Sequence, residues 1–450
     1  MSTNLLISGG RVLDPSQGMD KIGDLLVAEG KISWAGDKAK ETLPMSDLLF
    51  IDATGFIVCP GFVDLHCHLR DPGFEDRETI ATGTRAAARG GFTTICCMPN
   101  TNPPLDNQAT IDYVKNVAKT DGVVRVLPIG CITKGRQGKE LTEMCDLAEA
   151  GVIGFSDDGD PVPSSRIMSL AMDYSCALGL PIIDHCEDKD LSDGGLMNDG
   201  WVSTRMGLKG IPAASEEIVI ARDIALAHLT GARLHIAHVS TEGSIKLIRR
   251  AKDEGIAVTA EVTPHHLTLS EERIMGWQAG NNNQLTYDTN AKVNPPLRTK
   301  QDILALVKGI NDGVIDAIAT DHAPHTLADK MCEFGLAAFG ISGLETALGC
   351  LMGLVHRSEL DLITLISKLT IEPAGIIASK YGELGTLKSG GQADITIFDP
   401  DKEWTVKGQD FASKGKNTPF DGCQLKGKVM ATIVSGEVAY YDSSVKLKKN

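Results

Sequence analysis

An α/β fold is predicted for this chain: a TIM-like (β/α)8 barrel with a small β-sandwich formed by both chain ends. Three observations carry that expectation. Across the middle of the chain, short apolar and β-branched runs alternate with stretches of helical composition, eight times over. Nearly every run is followed by a histidine, aspartate or asparagine, and the carboxyl ends of barrel strands are where such folds collect their chemistry. The two ends of the chain instead alternate apolar and polar residues between glycine-containing turns, the pattern of antiparallel strands.

From the amino end, residues 5–57 alternate in this way around turns at Gly9-Gly10, Glu29-Gly30 and Ala35-Gly36-Asp37. The eight runs follow at residues 56–63, 92–98, 123–129, 152–155, 181–183, 233–239, 256–262 and 314–319. At or just past their ends stand His66, Asn100, Asp158, His185, His238, His265 and Asp321. Gly280-Asn281-Asn282-Asn283 marks an exposed turn, and residues 287–298 after it read as a loop over the barrel mouth. The alternating pattern returns at Gly385-Thr386-Leu387, runs through Ile395-Thr396-Ile397-Phe398, and recurs at residues 428–438. The expected division is residues 1–56 and 385–450 for the sandwich and 57–384 for the barrel.

Composition removes several classes of protein. At 450 residues the chain exceeds one simple core, which suits a large barrel with an appendage. Hydrophobic residues at 42% and charged residues at 23% describe a globular protein rather than a disordered one. A net charge of -15 excludes a nucleic-acid partner, so an anionic substrate needs local cations. Met1-Ser2-Thr3-Asn4 opens no secretion signal and no membrane span is expected, which places the chain in the cytoplasm. The 11 cysteines include the adjacent pair Cys96-Cys97 and form no CxxC motif, so reduced, buried thiols are expected rather than disulfides or a zinc ribbon.

The chemistry concentrates in Asp64-Leu65-His66-Cys67-His68-Leu69-Arg70. Side chains alternate along a strand, so His66 and His68 share a face and can grip one metal ion together, with Arg70 a fixed cation beside them. The strand ends add His185, His238, Asp321 and one aspartate of Ser156-Asp157-Asp158-Gly159. Imidazole nitrogen and carboxylate oxygen are ligands that zinc accepts, and the set could hold two ions. Neighbours on a strand face opposite ways, so either Asp157 or Asp158 reaches the metal. His235 lies mid-strand and reads as structural; His265 and His266 fit packing and metal-supporting roles equally; Cys67 and Cys186 are expected to face away.

These residues resemble the dihydroorotases of the amidohydrolase superfamily. The stretch from Asp64 to Arg70 is similar to that family's first signature, and Ala319-Thr320-Asp321-His322-Ala323-Pro324-His325 with Lys330 to its second. Met98-Pro99-Asn100-Thr101, Asp184-His185-Cys186-Glu187, Ala237-His238-Val239-Ser240 and Asn294-Pro295-Pro296-Leu297-Arg298 follow in the family's order. Gly154-Phe155-Ser156 lacks the carboxylated lysine of many superfamily members, so the chain resembles the bacterial branch in which an Asp-Asp-Gly aspartate, here Asp158, takes that place.

The resemblance implies a metal-dependent hydrolase barrel that interconverts N-carbamoyl-L-aspartate and L-dihydroorotate in de novo pyrimidine (UMP) synthesis. It implies two zinc ions per subunit, held by His66, His68, Asp158, His185, His238 and Asp321, with Asp321 also the catalytic base. It implies that His68, Arg70, Asn100, Asn294, His325, Phe339 and Gly340 contact the substrate, Arg70 taking the ring carboxylate. A homodimer and an association with aspartate carbamoyltransferase stay open as partner arrangements. Hydantoinases and allantoinases share the histidine pair but act on rings without that carboxylate, which makes Arg70 the discriminating residue. A second rival, a barrel serving only as scaffold for the carbamoyltransferase, conflicts with the complete ligand set.

Overall fold

The computed structural model describes residues 4–36, 48–276, 285–377, 382–445 and 447–449. The turns expected at Asp37 and at Gly280-Asn281-Asn282-Asn283 lie outside the described residues.

Strands Phe62–Cys67, Phe92–Cys97 and Arg125–Pro128 pair in parallel, as do Ile182–Asp184, Leu234–Ile236, Val258–Val262 and Ala317–Ile318. Phe155, in the run at 152–155, joins the two groups through parallel bridges to Gly130 and Ile182. His322 bridges back to Cys67, and the His68 amide donates to the His322 carbonyl at 2.8 Å, so the neighbours run round from the last strand to the first.

Alternation along the strands separates two layers. Cys96 and Met98 pack in the barrel interior while Ile95 and Cys97 pack beneath the helices; the same split divides Leu127 from Val126, Ile183 from Ile182 and Ala237 from Ile236. The outer layer meets Ile111, Val114, Ile220, Ile248 and Leu306 from the surrounding helices. Helices Ile80–Arg89, Gln108–Asp121, Ser165–Leu178, Glu242–Asp253 and Lys300–Asn311 start where the sequence supplies a cap. The side chains of Thr79, Asn107, Ser164, Thr241 and Thr299 each accept a backbone N–H of the first turn.

The first run departs from expectation. It forms two strands, Ile57–Pro60 and Phe62–Cys67, broken at Gly61. A Cβ at Gly61 would lie 2.2 Å from the Thr93 side chain, so only glycine lets the chain cross between sheets there. Ile57–Pro60 belongs to a nine-stranded sheet drawn from both chain ends, with its own core of Leu5, Ile7, Val27, Ile51, Ile395, Ile397 and Ile433 among others. Asn4–Asp14 pairs antiparallel with Met19–Ala28 but parallel with Leu48–Asp52 and Ile57–Pro60, a mixture the alternating pattern does not reveal. Residues 385–387 are not a strand; the Leu387 amide instead donates to Asp14 Oδ2 at 2.7 Å. Between strands Ile395–Thr405 and Gln424–Val434 the chain returns to the barrel, where Asn417 bonds its loops.

Candidate active site

The strand ends open into a cavity of about 410 Å³. Eleven of the twelve residues singled out from the sequence line it: His68, Arg70, Asn100, Asp158, His185, His238, Asn294, Asp321, His325, Phe339 and Gly340. The twelfth, His66, is fully buried at its base, where its Nε2 lies 3.4 Å from Asp158 Oδ1 and 3.6 Å from Asp321 Oδ1. His68 Nε2 stands 3.1 Å from Asp321 Oδ1 and 3.6 Å from Asp158 Oδ2. Across the base, His185 Nδ1 and His238 Nε2 face each other at 2.9 Å, each 3.8 Å from Asp158 Oδ1. The backbone is held in the left-handed region at Arg70 (φ 61°), His238 (φ 32°) and Asp321 (φ 43°), so these three site residues carry backbone strain.

The outer nitrogens explain why the inner ones converge. His66 Nδ1 is paired with Glu261 Oε1 at 2.9 Å, His68 Nδ1 with Asn100 Oδ1 at 2.8 Å, and His185 Nε2 with Glu187 Oε2 at 3.1 Å. A ring nitrogen that donates to such an oxygen leaves the opposite nitrogen a lone pair, which points inward in all three. His66 Nε2 and Asp158 Oδ1 are buried without a hydrogen-bond partner.

Electrostatics favour a cation between them. Burial raises the Asp158 carboxyl, but the charges of His66 and His68 beside it hold it well below the usual range; burial likewise raises Asp321, which His68 and His66 lower on balance. Burial opposes protonation of His66, yet Asp158, Glu261 and Asp321 together raise it well above an ordinary histidine. Glu261 is depressed to about 2, burial being outweighed by His235 and His66. Two trios, His66-His68-Asp321 and His66-Asp158-His238, each bring three ligand atoms within 4.8 Å of one another, so the donors fit one or more metal ions.

Arg70 is buried and, among the described residues, has no ion-pair partner; burial and the charge of Arg77 lower it to about 10, leaving it cationic at neutral pH. His325 stands beside it, its Nε2 donating to the Phe339 carbonyl at 2.7 Å, while burial and the Arg70 charge push it down to about 3. Asn294 Nδ2 donates to Glu187 Oε2 at 3.0 Å, and Val293 and Asn294 line the cavity, so the 287–298 segment contributes to its wall. Gly340 offers less than expected, because its N–H already donates to the Lys292 carbonyl and its own carbonyl accepts from Asn417.

The remaining histidines divide. His266 packs, bonded to Thr263 Oγ1 and the Pro295 carbonyl, and His235 braces Glu261 from the side opposite His66. Cys67 and Cys186 turn to Cys96 and Asp184, away from the cavity. Glu187, Glu261 and Asn417 were not singled out from the sequence. Glu187 could have been found two residues past His185, and Glu261 as the one acid inside the apolar run at 256–262; Asn417 stands in no motif.

Fold and site together define a barrel hydrolase of the amidohydrolase type. The solved L-hydantoinase (dihydropyrimidinase) from Arthrobacter aurescens is similar to it with TM-score 0.84 and 27% identity over 100% of this chain and 98% of that one. A family model described as dihydro-orotase-like matches residues 55–244. A dihydroorotase of Thermoanaerobacter sp. (strain X514) is 52% identical over 437 residues, 97% of each chain, and one of Pelotomaculum thermopropionicum is 51% identical over 443 residues, 98% of this chain and 100% of the relative. The chain belongs to the dihydroorotase family.

Proposed function

We propose that the chain is a cytoplasmic dihydroorotase that interconverts N-carbamoyl-L-aspartate and L-dihydroorotate in de novo pyrimidine synthesis. The observation that carries this reading is Arg70, a buried guanidinium with no ionic partner among the described residues, on the wall of a cavity floored by imidazoles and carboxylates. A guanidinium without a carboxylate is matched to a substrate that brings one, and the ring carboxylate of dihydroorotate fits its planar fork.

His66, His68, Asp158, His185, His238 and Asp321 would hold zinc, two ions per subunit. When bound, zinc supplies Lewis acidity toward the ring amide and makes water nucleophilic near neutral pH. The chain's own residues do the rest. Arg70 binds the carboxylate with Asn100 and His325 beside it, and fixes which ring carbonyl faces the metal-binding carboxylates. Asn294 takes the ureide edge, with Phe339 and Gly340 as the wall beside it, and His68 closes the floor beneath the ring. In ring opening Asp321 accepts a proton from the attacking water and returns it to the leaving ring nitrogen; ring closure reverses both transfers. The 287–298 segment covers the mouth and limits competing water.

Among the described residues no helix is long and apolar enough to cross a membrane. Self-association as a homodimer and docking to aspartate carbamoyltransferase are the partner arrangements this reading carries. The test incubates the purified chain with zinc and follows L-dihydroorotate, hydantoin and dihydrouracil in parallel. Loss of dihydroorotate alone, reduced about 100-fold or more in Arg70→Ala, is expected for a bidentate charge-assisted contact. Turnover of the neutral rings instead would assign the chain to the hydantoinases.

A further inference from the structure

Glu187 receives no role in the chemistry above, yet three donors converge on one of its oxygens. Its Oε2 accepts from His185 Nε2 at 3.1 Å, from Asn294 Nδ2 at 3.0 Å and from Lys189 Nζ at 2.6 Å. The residue is 8% exposed and lines the cavity, so it is not a solvated surface acid. Each bond has a consequence. The first makes Nε2 the protonated nitrogen of His185 and turns the Nδ1 lone pair toward His238 Nε2 and Asp158 Oδ1. The second holds the Asn294 side chain, itself part of the cavity lining, against the carboxylate that orients His185. The third brings a half-exposed ammonium that offsets the carboxylate's charge without itself reaching the base of the cavity.

We propose that Glu187 is a positioning residue that couples metal binding at His185 to substrate binding at Asn294, a role that rests on the functional reading above. One carboxylate oxygen shared between the two means that a change in either bond is felt by the other. Ordering His185 by a metal holds Glu187 still, which presents Asn294 in place for the ureide edge. By reciprocity, a substrate that seats Asn294 tightens the metal.

The experiment compares wild type, Glu187→Gln, Asn294→Ala and the double variant. It reads the zinc dissociation constant by competition with a chelator, and KM and kcat for dihydroorotate. Glu187→Gln keeps the size but loses the charge, and is expected to weaken zinc 10- to 100-fold, as removal of a partner behind a ligand does. Asn294→Ala is expected to raise KM several-fold in wild type and by less than half that factor once Glu187 is Gln, because the asparagine is already released. Glu187→Asp, which restores the charge, should recover part of the zinc affinity and guards against a variant that merely folds poorly. An unchanged zinc constant in Glu187→Gln, with KM effects that simply multiply, overturns the proposal and leaves Glu187 as the ion-pair partner of Lys189. A wild-type chain that binds zinc but leaves dihydroorotate untouched instead overturns the functional reading and the substrate half of the coupling.

Discussion

At Asp157 the carboxylate is occupied by its own backbone surroundings. Its Oδ1 accepts from the Ile132 amide at 2.9 Å and the Thr133 amide at 3.1 Å, and Oδ2 accepts from the Thr133 hydroxyl. Asp158 faces the cavity, with His66 Nε2 3.4 Å away. Two substitutions of equal size should therefore fail in different ways. Asp157→Asn is expected to cost about 1–3 kcal/mol of stability, since its amide meets the Thr133 hydroxyl where an acceptor stood, while zinc content stays near wild type. Asp158→Asn is expected to leave the urea midpoint nearly unchanged but to lower zinc affinity at least about tenfold and kcat with it. Metal content after dialysis, read beside urea unfolding, separates them; zinc lost from Asp157→Asn would reverse the assignment. The sequence shows that only one of two adjacent aspartates can face a metal, because the period of a strand is two. It does not show which, because that depends on where the strand geometry stops after Phe155. Glu187 escaped notice for a related reason: its importance lies in a contact with Asn294, 107 positions away.

Individual elements were legible where their own composition decides them. Val258-Thr259-Ala260-Glu261-Val262 forms a strand because β-branched and small residues pack on both its faces. The break at Gly61 falls on the Pro60-Gly61 dipeptide inside the run, but the crossing to a second sheet was not legible, because the close approach that requires the glycine comes from Thr93 of the neighbouring strand. Nor does composition reveal how the two strips along the cavity wall are tied. Lys330 Nζ donates to the carbonyls of Thr289, Lys292 and Ala338, while Lys292 Nζ reaches back to those of Phe334 and Gly335 and lies 4.5 Å from the Phe339 ring centroid. Burial and the Lys292 ammonium push Lys330 down to about 7, whereas an unfolded lysine titrates near 10.4. Between those values the unfolded chain binds more protons than the folded one, so stability rises with pH across that window and the penalty is fully present below pH 7. Relative to Lys330→Met, wild type should gain about 1.4 kcal/mol per pH unit from pH 7 to 10, and nothing further below pH 7. Urea midpoints of the two proteins at matched pH measure this, and parallel curves across the window would mean that Lys330 is not held as an uncompensated buried charge.

For the whole molecule, the sheet built from the chain ends does more than flank the barrel. The excursion between its strands carries Asn417 to the site, where Nδ2 donates to the carbonyls of Ala323 and Gly340 at 3.0 Å each, and Oδ1 accepts from the His325 amide and the Ser342 hydroxyl at 2.9 Å each. A buried amide with two donors and two acceptors engaged is fully satisfied, and it fixes the loop bearing His325 against the wall strip of Gly340. No motif announces this, because His325 and Asn417 are separated by 92 positions and an asparagine in a loop has an ordinary surface role by default. Asn417→Ala would leave two carbonyls, an amide and a hydroxyl to find new partners, at a cost of about 2–3 kcal/mol if water replaces part of the network. Because those groups hold His325 beside Arg70 and not the histidines at the base, KM for dihydroorotate is expected to rise about tenfold while zinc affinity is retained. Asn417→Asp keeps the two acceptor contacts and loses the donors, so it should restore the His325 amide's partner but not the tie to Gly340, and fall between wild type and Ala in KM. If both variants bind zinc and turn over dihydroorotate with unchanged KM, the chain ends support the barrel's stability alone and take no part in aligning the substrate.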